Sequence, residues 1–162
     1  SNVMDIEDRD PQIRLDEISA QLRCLLEQAE SELNQGRVSE ATLADLIDVY
    51  RRVDQLYAEV NELAEDALEQ ARKHLGSTMP REPRTARRAA LDALIRENSA
   101  LIKNGLCDYR QAVGRGDRAP KLMHDIIGTQ QKVKGWREEL IDLNGAELLE
   151  IRHLAAMGGS SH

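Results

Sequence analysis

Glu150 and His153 form the pair whose spacing comes nearest to chemistry. Three residues apart on a helix, a carboxylate and an imidazole share one face. Carboxylate-bridged metal bundles use that arrangement twice, with two further inward carboxylates. Here the residues three before His74 and His124 are Ala71 and Lys121, so the set is incomplete and no metal site follows. Cys24 and Cys107 match no zinc spacing and are too few for a disulfide scaffold; mid-helix, they are expected to be packed, half-buried thiols. No Gly-x-Ser-x-Gly turn presents a nucleophile. Gly114-Arg115-Gly116 lacks the length and the Lys-Ser/Thr of a phosphate loop. Arg115-Gly116-Asp117 reads as a turn with a helix cap. No catalytic group is assembled and no cofactor is called for.

Charge narrows the partners. Residues 1–75 hold 18 acids against 8 bases and residues 76–162 hold 11 against 14, within a net charge of −7. An acidic first half favours docking on the second half or on a basic partner. Arg81, Arg84, Arg87 and Arg88 gather at one end of the third predicted helix, and Arg110, Arg115, Arg118 and Lys121 at the other. A helix of roughly 29 residues holds those clusters about 40 Å apart. Without aromatic residues interleaved they make no continuous nucleic-acid footprint. No apolar run approaches the roughly 18 residues of a membrane span, and the first ten residues are acidic rather than signal-like. The sequence predicts a cytoplasmic protein.

The elements follow from periodicity. Leu43, Leu46, Tyr50, Val53, Tyr57, Val60, Ala64, Ala67 and Ala71 step by three and four, a heptad seam that predicts one long helix over 39–75. Val49, Leu56 and Leu63, seven apart, widen its stripe enough for two neighbours. Ahead of it, Asp10 and Pro11 start a helix that Gly36 stops. Gly76 to Pro83 then breaks the chain with two prolines and a glycine. Thr85 is the expected cap of a third helix, continuous through Gly105 to Val113, and Asp117 of a fourth. Asn144-Gly145 should end the fourth, with Asn144 capping a short amphipathic helix and Glu147 at its capping-box position. Phe is absent and aromatic content is 2%, so Leu, Ile, Val and Ala must build the core. The prediction is an all-α, elongated antiparallel four-helix bundle in one domain. It comprises a hairpin over 10–75, a linker over 76–84, a hairpin over 85–143 and a short C-terminal helix over 145–157.

Such a chain is expected to work by contact with another protein, as an adaptor, regulator or chaperone, and its seam also admits a homodimer. Candidate contact residues are Trp136, the only Trp; Gly128 and Gly135, which allow either a close helix approach or slack; and Leu148, Ile151 and Leu154 on the amphipathic tail. In its plan of Leu-rich hairpins the chain resembles the small acidic helical chaperones of bacterial secretion and flagellar export, which implies a protein-binding role. Two alternatives stand beside this reading. One is an enzyme or a metal- or ligand-binding bundle whose site assembles only in three dimensions; the other is a nucleic-acid-associated or phage-type structural protein.

Overall fold

The computed structural model describes residues 10–75 and 84–160, which form four helices and no strand. Asp10 caps α1 (Pro11–Asn34) by accepting from the Gln12 N–H at 2.9 Å, and Pro11 occupies the first turn, where its missing N–H is not needed. Gly36, at φ +140°, turns the chain out of α1. Ser39 Oγ accepts from the Thr42 N–H at 3.2 Å to start α2 (Glu40–Leu75). α2 is one unbroken rod of 36 residues, about 54 Å long. Its Tyr50–Tyr57 seam is buried as the heptads require.

α3 (Arg84–Gly114) opens one residue before the expected Thr85 cap; residues 76–83 of the predicted linker lie outside the described residues. It runs through Gly105 because α4 (Pro120–Ser160) crosses there. A Cβ at Gly105 would lie 2.9 Å from Ile126 Cγ1, so the missing side chain sets the approach of the two helices. α1 pairs with α2, α3 with α4, and α2 joins the hairpins by packing on α4 and α3. Tyr109 Oη accepts from the buried Val38 N–H at 3.0 Å, pinning the first turn to α3.

The short C-terminal helix does not form separately. α4 continues through Asn144-Gly145 for 41 residues in all. Asn144 and Glu147 were expected to cap a new helix, but both are buried at 3% exposure and their side chains are spent on neighbouring helices. Asn144 Oδ1 accepts from Arg88 Nε at 2.8 Å and its amide donates to Asn61 Oδ1 at 3.3 Å. With those groups used elsewhere, nothing terminates the helix.

The hairpins differ in reach. Arg14, in the first turn of α1, pairs with Glu59 at 3.8 Å. The last third of α2 therefore extends beyond the start of α1, and among the described residues only α3 and α4 accompany it.

Candidate functional site

Along α4 the buried face steps strictly by three and four through Met123, Ile126, Gln130, Val133, Arg137, Leu140, Asn144, Glu147 and Ile151, each at most 6% exposed. This is a heptad seam in which four of the knobs are polar. Hydrophobicity alone misses it, because Gln130, Arg137, Asn144 and Glu147 read as surface residues. The signal is their spacing.

Arg137 anchors the middle of this column. Its Nη2 donates to Asp54 Oδ1 of α2 at 2.6 Å, and its guanidinium lies 4.8 Å from the Tyr57 ring centroid and 5.7 Å from that of Tyr50. Asp54 also accepts from Lys103 Nζ at 2.8 Å and from Ser99 Oγ at 2.9 Å, and Ser99 accepts from Tyr50 Oη at 3.0 Å. One cluster thus ties α2, α3 and α4. Burial opposes the charge on Asp54, but the bonds from Lys103 and Ser99 and the field of Arg137 outweigh it and hold the carboxyl below its usual range. Burial raises the Tyr57 phenol above its usual value, against the opposing field of Arg137.

Beside this cluster, between α1, α2 and α4, is a cavity of about 640 Å³ with Leu15, Leu22, Leu26, Ile127 and Ile141 on its walls. Tyr57, Gln130 and Arg137 also line it, each 6% exposed. Tyr57 Oη, Gln130 Oε1 and Arg137 Nε have no hydrogen-bond partner among the described residues. These atoms have essentially no accessible surface of their own, so they are enclosed within the protein rather than open to the cavity.

A second cluster lies beyond the start of α1. Glu147 receives Arg72 of α2 and Arg88 of α3 on its two carboxylate oxygens. Burial raises its proton affinity, and the bonds from the two guanidinium groups override that and lower it. Beyond α1 the apolar stripe of α2 emerges. Leu56 is 8% exposed and packs near Ile18, whereas Leu63, one heptad on, is 54% exposed. On α4, Leu149 is 70% exposed.

The residues singled out from sequence scatter. Ile151 is fully buried, Trp136 is partly buried against the core, Leu148 is half-buried and Leu154 is exposed. A Cβ at Gly128 or Gly135 would meet nothing within 4 Å, so the close helix approach belongs to Gly105 instead. Cys24 and Cys107 are exposed rather than packed, because both fall on outward positions of their helices. Glu150 and His153 stand exposed on α4, and no group of three or more potential metal ligands exists among the described residues. Several basic residues are paired within the chain: Arg87 with Glu139, Arg88 with Glu147 and Arg110 with Glu40. No described helix is long and apolar enough to cross a membrane. Compared with known proteins, the chain matches no family model, no curated protein and no solved structure.

Proposed function

We propose that this protein is a non-enzymatic binding module, an adaptor, regulator or export-chaperone-like bundle, that accepts one amphipathic helix of a partner protein in the place α1 leaves vacant. Leu63 carries the reading. It continues the Val49–Leu56 stripe that α1 covers, yet it is 54% exposed because α1 begins too late to reach it. The α4 positions that face α1 at Ile127, Lys134 and Ile141 continue, one heptad on, to Leu148. A helix laid between Leu63 and Leu148 would restore four-helix packing over α2 residues 61–75, a length of about 22 Å.

Charge selects the kind of helix. Glu62 and Asp66 flank Leu63, and Asp142 stands ahead of Leu148; all three are exposed and enter no ion pair among the described residues. A helix with a leucine stripe and lysine flanks complements that surface.

A fifteen-residue Leu/Lys amphipathic peptide is expected to bind, more weakly as salt rises, while its Leu/Glu counterpart does not. Leu63→Lys is expected to abolish binding without shifting the melt, since the position is exposed. Leu101→Lys, at a 62% exposed leucine on α3, is the control and should change neither. Affinity indifferent to Leu63→Lys would refute the docking site. Light scattering that shows a homodimer broken by Leu63→Lys would make a second copy the occupant and overturn the partner helix.

A further inference from the structure

We infer that the cleft between α1 and α4 binds the aliphatic chain of a small cationic amphiphile, an alkylamine, and that its acidic rim selects the amine. This goes beyond the partner-helix reading and rests on different residues. α4 runs parallel to α2, as the Asp54–Arg137 and Asn61–Asn144 bonds show, and therefore antiparallel to α1. α1 packs chiefly on α2 and meets α4 only sparingly, which leaves the cavity of about 640 Å³ between them.

The walls describe the body of the ligand. Leu15, Leu22 and Leu26 of α1 face Ile127 and Ile141 of α4, with Val53 of α2 between them. Leu26 and Ile141 are only partly buried, so apolar surface is open to a solute there. From Leu15 to Leu26 α1 rises about 16 Å. A helix with its side chains is about 10 Å across, and one lying along that length would need roughly twice the volume of the cleft. The cleft therefore takes a single aliphatic chain, unlike the wider place beside Leu63, and its volume lies within the range of small-molecule sites.

The rim describes the head group. Lys134 is matched by Glu138 at 4.0 Å, which leaves Asp16, Glu27, Glu30 and Asp142 against Arg23. These four carboxylates are exposed and enter no ion pair among the described residues. Arg137 adds no attraction for an acid, because Asp54 meets its charge at 2.6 Å. Glu27 and Glu30 stand toward the Ile127 end of the cleft, and Asp16 and Asp142 toward the Ile141 end. A terminal ammonium thus meets two carboxylates whichever way the chain lies, whereas a fatty acid would enter a negative field.

The probe is decylamine, titrated by calorimetry into the full chain below the concentration at which the amine forms micelles, with octylamine and decanoate as comparisons. One equivalent of decylamine is expected to bind. Octylamine, two methylenes shorter, should bind about tenfold more weakly, and decanoate more weakly than decylamine. Glu27→Lys with Glu30→Lys should weaken decylamine about tenfold at low salt and leave the melt unchanged, since both positions are exposed. Leu26→Trp, which fills the cleft from a partly buried wall, should abolish binding; the paired lysine variant, changed only at exposed positions, carries the test even where Leu26→Trp melts early. Leu63→Lys should leave decylamine binding unchanged, and Leu26→Trp should leave binding of the Leu/Lys peptide unchanged, so the two sites fail or stand separately. Absence of decylamine binding, equal affinity for octylamine, decanoate binding as tightly as the amine, indifference to the paired lysine substitutions, or a folded Leu26→Trp chain that still binds would each overturn the assignment.

Discussion

The charged residues of this bundle fall into two populations, and their mutational effects should differ accordingly. Glu147 is 3% exposed and neutralises two guanidinium groups that are themselves largely enclosed, Arg72 at 21% and Arg88 at 12%. Removing it leaves two cations in the interior without a counter-charge. Glu147→Ala is therefore expected to destabilise the fold by about 3 kcal/mol, read from urea melts. Arg87 and Glu139 make a two-point pair, with contacts of 2.6 and 2.8 Å, but both sit in water. Arg87→Ala should leave the melt unchanged within replicate scatter, because solvent already screens that pair. If the two substitutions proved equal, burial would not be what gives the Glu147 cluster its weight. Nothing in the local sequence separates Glu147 from Glu139: both are glutamates in a helical stretch, and only the heptad position of Glu147 marks it as inward.

At the scale of the helix, the glycines of α3 and α4 make the next test. Gly128 and Gly135 sit in open space, so Ala at either adds helix propensity without a clash; each substitution should raise stability by about 0.5–1 kcal/mol. Gly105 is the opposite case, because a methyl there meets Ile126 Cγ1 at 2.9 Å and Ile126 is only 4% exposed. Overpacking should outweigh the propensity gain, and Gly105→Ala should lower stability by about 1 kcal/mol or more. A stabilised Gly105→Ala variant would mean that α3 and α4 can separate there without loss. These three residues also show what periodicity conveys. The order of the four long helices and the bounds of the first three were legible, because Leu, Ile and Val at steps of three and four carry them and Asp10, Gly36 and Ser39 punctuate them. The tight crossing was not, since a glycine in a helix looks the same whether its neighbour is another helix or water. The unbroken α4 was missed for a related reason: Asn144 and Glu147 carry good capping side chains, and only the tertiary partners Asn61, Arg72 and Arg88 show that these are engaged elsewhere. The cavity was illegible too, because Leu15, Leu22 and Leu26 come from α1 and Ile127 and Ile141 from α4, so no local motif contains them.

The whole molecule carries its depressed carboxylates along its length, and that distribution determines how acid should act on it. Glu32 stands at the turn end, where burial opposes its charge but hydrogen bonds from the Ser39 N–H, Thr42, Gln28 and the Ser39 hydroxyl outweigh that opposition and push its pKa down to about 2. Asp54 lies at the middle and Glu147 at the far end, each lowered by its cationic partners against the opposing effect of burial. In the unfolded chain all three revert to ordinary values near 4. Their stabilisation is therefore complete above the unfolded values and is lost as pH falls through them toward the folded ones. Urea midpoints should fall steadily from about pH 5 to pH 2.5. Glu32→Gln should lower the midpoint at pH 7, where the wild-type carboxylate is fully ionised, and the two curves should converge toward pH 2, where that advantage disappears. A constant gap between them across the range would show that Glu32 stabilises the turn by shape rather than by charge. Because each carboxylate bridges different elements, α1 to α2 at Glu32 and α2, α3 and α4 at Asp54 and Glu147, acid should loosen the rod at both ends together. Hydrogen exchange at pH 3 is expected to show protection falling in α1 and in the last turns of α4 alike, and loss confined to one end would contradict a charge network spread over the bundle.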